Sequence, residues 1–229
     1  MEVKETEKQR PRLESGLAIG RRVFMGSALY DSFIADYYDE SPVVKGRVQD
    51  VAFYRDAARE FGDPILELGC GTGRNLVFLS RAVGPDGRVY GIDISEGMLA
   101  KARETCEKNG CTNVRLIQSD AAEYELPELV DGAIFSLYYC TMRHRKLALR
   151  HAWEQLKSGG RLVMLDAKAL SGWLGRLLYP LTLWTLKLTV LGSPDIDELK
   201  DLEALTGDVE VENLQCGTYF IARVTKPAR

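Results

Sequence analysis

From Gly62 onward, short apolar runs alternate with longer stretches whose apolar positions recur at helical spacing, the pattern of a parallel sheet covered by helices. "PILELGC" (64–70) predicts a first strand, "RNLVFLSRAV" (74–83) its helix, and "GPDGR" (84–88) a turn. "VYGIDIS" (89–95) predicts a second strand. Its last residue, Ser95, is a good N-cap for a helix over "EGMLAKARETCEKNG" (96–110), where Met98, Leu99 and Ala102 share one face. "NVRLIQSD" (113–120) and "VDGAIFSLYY" (130–139) predict the third and fourth strands. A helix from about His144 to Lys157 is expected to stop at "SGG" (158–160), before a fifth strand, "RLVMLDAKA" (161–169). "VEVENLQCG" (209–217) and "TYFIARVTK" (218–226) predict a closing antiparallel pair. Two stretches fall outside the alternation: the N-terminal region through Pro42, and the apolar segment 170–193.

The chain has 229 residues, 45% of them hydrophobic, which suits a single domain with a sizeable core. A formal net charge of -3 gives no general attraction to polyanions, so nucleic acid is not an expected partner. The five cysteines include no CxxC pair, and the two histidines complete no zinc spacing, so no metal is expected. The odd cysteine count and the charged start "MEVKETEKQRPRLESG" predict reduced thiols in the cytoplasm.

Candidate chemistry gathers at the predicted strand ends. In an open parallel sheet, ligands bind beyond the carboxyl ends of the strands, near the point where the connections diverge. Gly69, Gly71 and Gly73 fall at the end of the first strand, where missing side chains let a ligand approach the main chain and the next helix N-terminus. The spacing G-x-G-x-G after Glu67 differs from the dinucleotide fingerprint G-x-G-x-x-G, which counts against NAD. Asp93 closes the second strand, where a carboxylate can accept from both ribose hydroxyls. Asp120 closes the third, placed to accept from an adenine amino group while the Ala121 main chain faces the ring edge. A single such Asp is often only a turn or helix cap, but a set of strand ends in register predicts one nucleoside site.

Taken together, "LELGCGTG", "GIDIS" with "GMLAKAR" behind it, "SDAAEYELP", "DGAIFS" and "LKSGGRLVMLD" resemble the class I S-adenosylmethionine-dependent methyltransferases over roughly residues 30–168. The resemblance implies an α/β fold: a Rossmann-like seven-stranded sheet, mostly parallel with an antiparallel last strand, and helices on both faces. It divides one domain into N-terminal lid helices (1–45), a cofactor-binding core (62–168), the apolar insertion (170–193), and a C-terminal helix with a strand pair (195–229). S-adenosyl-L-methionine is the implied cofactor. Glu67 and the turn of Gly69, Cys70, Gly71 and Gly73, with Asn75 opening the next helix, would hold its methionine portion. Asp93 would hold the ribose, Ile94 and Met98 would flank the adenine, and Asp120 with Ala121 would read its edge. Ser136, at the end of the fourth strand, completes the implied cofactor set. From the lid, Tyr30 and Tyr38 would close over the sulfonium, whose positive charge aromatic faces stabilise.

Methyl transfer from a sulfonium is an in-line displacement, so the protein mostly has to align nucleophile, methyl and sulfur. An amine acceptor must also lose a proton, which requires a nearby base or water path. The candidates are Tyr138 and Tyr139 after the fourth strand, His144 on the following helix, and Asp166 ending the fifth strand. "SLYYC" lacks the (D/N)PPY tetrapeptide of amide and base methylases. The cations Arg143, Arg145, Lys146 and Arg150 form either a solvated helix face or a clamp for an acidic substrate group.

Arg176, Pro180 and Lys187 interrupt the segment 170–193 and argue against a membrane span. With Trp173, Tyr179 and Trp184 it fits a broken amphipathic element, over the substrate cleft or on a bilayer surface together with residues 13–30. The tail after the fifth strand is more loosely similar to ubiquinone/menaquinone-biosynthesis-like and bacterial phospholipid N-methyltransferases. That implies an amphiphilic acceptor such as a lipid headgroup amine, and peripheral membrane contact. A soluble enzyme for a small molecule and a noncatalytic adenosylmethionine-binding protein remain the alternatives.

Overall fold

The structure is a computed structural model that describes residues 61–142, 144–167, 197–214 and 219–228. The expected lid with Tyr30 and Tyr38, and the apolar segment 170–193, lie outside the described residues. Seven strands alternate with helices: β1 (Ile65–Leu68), α1 (Arg74–Val83), β2 (Val89–Asp93), α2 (Glu96–Lys108), β3 (Val114–Gln118) and β4 (Val130–Ser136). A 3-10 turn (Tyr139–Thr141), α3 (Arg145–Gln155), β5 (Leu156–Ala167), α4 (Glu198–Thr206), β6 (Glu210–Leu214) and β7 (Tyr219–Thr225) follow.

The strands form one sheet in the order β3-β2-β1-β4-β5-β7-β6. β1 to β5 pair in parallel, and β7 runs antiparallel to both β5 and β6. Strand order reverses between β1 and β4, which opens a crevice at their carboxyl ends. The expected Rossmann-like sheet, with its antiparallel last strand, is therefore observed.

Because side chains alternate across a sheet, consecutive strand residues enter two different cores. Leu66, Leu68, Tyr90, Ile92, Phe135, Met164 and Phe220 join Ala148, Leu149 and Ala152 of α3 and Leu202 of α4 on one face. Ile65, Val89, Ile134, Val163, Leu165 and Ile221 join Leu76 and Leu79 of α1 and Leu99 of α2 on the other. The same alternation puts Glu67 and Asp93 on the α1/α2 side and Asp166 on the α3/α4 side.

Local signals fix the helix ends that position the site. Ser95 Oγ accepts from Met98 N and caps α2, as its sequence predicts. Asp197 caps α4 by accepting from Lys200 N, and Gly207 ends that helix in the left-handed conformation.

One expectation is corrected. The "SGG" expected to end the α3 helix instead lies inside β5, which already begins at Leu156. Leu156 pairs with Val130 and Arg161 with Gly132, so the intervening residues bulge out of register. Gly159, at φ 78°, donates its N–H to Lys226 O, and Gly160 O accepts from Lys226 N. Glycines that would stop a helix here let a strand bulge against the C-terminal segment.

Candidate active site

The three glycines after β1 all have positive φ, at 71°, 53° and 79° for Gly69, Gly71 and Gly73, each for a different reason. A Cβ on Gly73 would lie 2.9 Å from Ala102 Cα, so this glycine lets α1 cross closely over α2. A Cβ on Gly69 would strike the Tyr138 ring at 2.2 Å. At Gly71 an added Cβ would meet nothing within 4 Å among the described residues. Among the described residues, Gly71 alone of the three presents main chain to open space, where a ligand can approach it.

Around that exposed backbone stand two carboxylates. Asp93 is 8% exposed, and it accepts from Gly71 N through Oδ2 at 2.9 Å and from Ser95 N through Oδ1 at 3.0 Å. Glu67 is fully buried; its Oε1 accepts from Asn75 Nδ2 at 2.7 Å, while Oε2 has no hydrogen-bond partner among the described residues. Burial raises the Glu67 pKa to about 8, the Asn75 hydrogen bond opposes the rise, and the nearby Asp93 charge adds to it. An orphaned buried carboxyl oxygen costs about 1–3 kcal/mol, which a hydrogen-bond donor or cation brought to it would recover. Cys70, beside them, is packed in the core, where burial and then the Asp93 and Glu67 charges push its thiol pKa upward.

On the β2–β3 side, Asp93 pairs with Gln118 in register, and Ser119 N donates to Asp93 O at 3.1 Å. Asp120 therefore follows closely beyond the end of β3. Its Oδ1 accepts from Ala122 N at 2.9 Å, so part of this carboxylate caps its own turn. Ala121 is buried beside it. Ile94 remains 42% exposed next to Asp93, an apolar side chain left open at a strand end, whereas Met98 is buried.

The turn after β4 closes the other side. Ser136 is half-buried and ends the strand. Leu137 follows at φ 51°, the one non-glycine among the described residues with positive φ. It directs the chain so that the Tyr138 ring lies against Gly69. Tyr139 points instead into the α3/α4 core, fully buried, packed edge-on to Phe135, with its hydroxyl donating to Asp201 Oδ2 at 3.0 Å. Burial, then the Asp201 charge and hydrogen bond, push its pKa upward. Asp166 is also fully buried and accepts from Cys140 N at 3.1 Å. His144 is exposed at the start of α3.

The structure thus brings Glu67, Gly69, Gly71, Asn75, Asp93 and Tyr138 together, with Asp120 and Ile94 at the adjoining strand ends. Tyr139 and Asp166 lie beneath the post-β4 turn and anchor it. Sequence reading missed Leu137, Glu198 and Asp201. Glu198 is 3% exposed, and burial and then the Asp166 and Asp197 charges raise its pKa to about 8, with its own backbone N–H and Arg145 opposing. The available signal was "DIDELKDLEAL", which reads as a capped helix with acids in its solvated first turn.

Residues 65–160 match the model of a family described as a methyltransferase domain. A demethylmenaquinone methyltransferase from Anoxybacillus flavithermus is 28% identical over 138 residues, 58% of this chain and 58% of that protein. The chain spans about half the length of the curated methyltransferases it matches. Among solved structures, the apo form of the S-adenosylmethionine-dependent methyltransferase SibL superposes with a TM-score of 0.67 at 20% identity, covering 84% of this chain and 58% of that one. A DhpI complex with S-adenosylhomocysteine gives a TM-score of 0.64 at 21% identity, covering 88% of this chain and 95% of that one. The resemblance to S-adenosylmethionine-dependent methyltransferases carried by the sequence motifs is therefore borne out.

Proposed function

We propose, from the methyltransferase domain that residues 65–160 form, that this protein transfers a methyl group from S-adenosylmethionine to an amphiphilic acceptor. The observation that carries the reading is Glu67 Oε2, buried without a partner among the described residues in a carboxyl group that shares Asp93 as a neighbour with the bare main chain of Gly71. A buried carboxyl oxygen left unsatisfied among the described residues suits a ligand bearing an ammonium group, whose charge would favour the ionised, accepting form of Glu67, and the methionine end of this cofactor has one. Asp93 would accept from the ribose hydroxyls while Gly71 and Ser95 hold its carboxylate in place. Exposed Ile94 would flank the adenine on one side, with Met98 on the other, and Asp120 with the Ala121 main chain would read the ring edge. The cofactor supplies a methyl already activated on sulfur. The chain has to align it, and the Tyr138 ring against Gly69 stands where it can face that methyl.

For the acceptor, the apolar segment 170–193 favours an amphiphile over a small polar metabolite. The related protein named a demethylmenaquinone methyltransferase supports the same class and makes a quinone-type ring an acceptor to test beside a lipid headgroup amine. Among the described residues no helix is long and apolar enough to cross a membrane. An amphiphile would then be reached from the membrane surface through segments 13–30 and 170–193.

Calorimetry with S-adenosylmethionine, S-adenosylhomocysteine and NAD tests the cofactor, and radiolabelled methyl transfer into fractionated lipids, quinones and polar metabolites tests the acceptor. Binding of the two adenosyl ligands but not NAD, with label in the lipid or quinone fraction, is expected. Label confined to polar metabolites overturns the amphiphile. Adenosyl binding with no label in any fraction points to a noncatalytic binding protein.

A further inference from the structure

Leu137 carries a backbone conformation that disfavours a branched side chain by roughly 1–2 kcal/mol. Such a residue persists only where its surroundings over-determine it. Among the described residues, β5 and α4 both hold this turn from outside. Leu137 N donates to Leu165 O at 2.7 Å, Cys140 N donates to Asp166 Oδ2 at 3.1 Å, and the Tyr139 hydroxyl donates to Asp201 Oδ2 at 3.0 Å. The first two come from β5, the neighbouring strand. The third comes from α4, 62 positions further along the chain.

Asp201 is built as a hub. Besides the Tyr139 hydroxyl it receives Arg145 Nε at 3.3 Å and Lys146 Nζ at 3.1 Å, with its side chain only 10% exposed. Its carboxylate joins the post-β4 turn, the start of α3 and the C-terminal helix. The Tyr139 ring is already seated by Phe135 and the surrounding core. What its hydroxyl adds is a fixed register between that turn and α4.

We propose that Asp201 is a positioning residue for methyl transfer: through Tyr139 it fixes the strained Leu137 turn that seats Tyr138 against Gly69. The role rests on the adenosylmethionine reading above. Without the Asp201 acceptor, Leu137 can relax toward negative φ, and the Tyr138 ring loses its place against the glycine turn. Of the groups from which Asp201 accepts, Tyr139 belongs to the turn and Arg145 and Lys146 to α3, so the positioning runs through the tyrosine hydroxyl.

The test combines Tyr139→Phe, Asp201→Ala and Asp201→Asn, each made alone and with Tyr138→Ala. Two quantities are read: the dissociation constant for S-adenosylhomocysteine, and the rate of Cys140 alkylation mapped by mass spectrometry, since Cys140 is buried within the same turn. Tyr139→Phe and Asp201→Ala are expected to weaken binding about five- to twentyfold, less than the direct loss of a buried charged hydrogen bond because the effect reaches the ligand through Tyr138. Both should also speed Cys140 labelling. Asp201→Asn, which keeps an acceptor for the hydroxyl, should recover most of the affinity. In the Tyr138→Ala background neither change should weaken binding further.

Losses that add in full to that of Tyr138→Ala overturn the assignment, as does lowered thermal stability with unchanged affinity in the mild Tyr139→Phe variant. A wild-type protein that binds no S-adenosylhomocysteine overturns the cofactor reading, and this role with it. Normal wild-type binding with additive losses overturns this role alone.

Discussion

The main-chain N–H of Gly71 donates to Asp93 Oδ2 at 2.9 Å, tying the tip of the glycine turn to the end of the neighbouring strand. The carboxylate expected to take the ribose is thus also the group that holds the turn beside it. Asp93→Ala should weaken adenosylmethionine binding more than tenfold, about 1.5–3 kcal/mol, and lower thermal stability as well, because Gly71 N and Ser95 N lose their acceptor. Asp93→Asn, which retains one acceptor oxygen, should recover part of the stability and little of the affinity. Titration calorimetry beside a melting curve separates the two, and unchanged affinity in Asp93→Ala would remove the ribose assignment.

The three glycines should fail differently. Gly73→Ala adds a clash with Ala102 main chain to its backbone strain, and Gly69→Ala drives into the Tyr138 ring. Gly71→Ala carries only the strain of a left-handed alanine, about 1–2 kcal/mol. Chemical denaturation should therefore rank Gly71→Ala as the most stable of the three. Its adenosylmethionine affinity should nevertheless drop by at least tenfold, on the order of 1.4 kcal/mol, since its Cβ occupies the space a ligand would enter.

Stability should fall as pH rises from about 4.5 to about 8. Glu67 has a folded-state pKa of about 8 against an ordinary value of 4.5, so across that interval the folded protein binds more protons than the unfolded chain. The stabilisation is complete below the unfolded value and is lost as pH rises through the folded one. Glu198, also raised to about 8, acts in the same direction. Glu67→Gln should melt higher than wild type at pH 8.5, by up to a few kcal/mol in stability, and close to it at pH 4.5. Denaturation at both pH values checks this; an equal difference at the two would show that Glu67 does not titrate as described.

Among the described residues the Tyr124 hydroxyl is buried without a partner in the α3/α4 core, where its ring meets His151 edge-on at 4.4 Å. Tyr124→Phe removes an unsatisfied polar atom and keeps the packing. It should leave stability unchanged or raise it by up to about 1 kcal/mol, whereas Tyr124→Ala should lose roughly 3–5 kcal/mol. A loss above about 1 kcal/mol in the phenylalanine variant would reveal a partner for the hydroxyl.

Most of the sheet was legible because its signals are local. The helix expected over 74–83 is observed over the same residues, and Ser95 caps α2 as its position suggests. The glycine turn and Asp93 were legible for the same reason, standing where a period-2 strand gives way to a helix. The start of β5 was not, since Gly159 and Gly160 carry the same signal for a helix stop as for a bulge, and only pairing with Lys226 decides between them. Tyr138 and Tyr139 look equivalent in sequence, yet one lies against Gly69 and the other enters the core. That difference comes from the Leu137 backbone and from Asp201, a residue far along the chain.

The order β5-β7-β6 has a consequence for how this molecule is made. β7 lies between β5 and β6 in the sheet, so until it docks β5 stands as a bare edge that another chain can pair with. Closure of that edge waits on a segment far along the chain, so weakening the β5–β7 pairing should favour association between copies over folding of one.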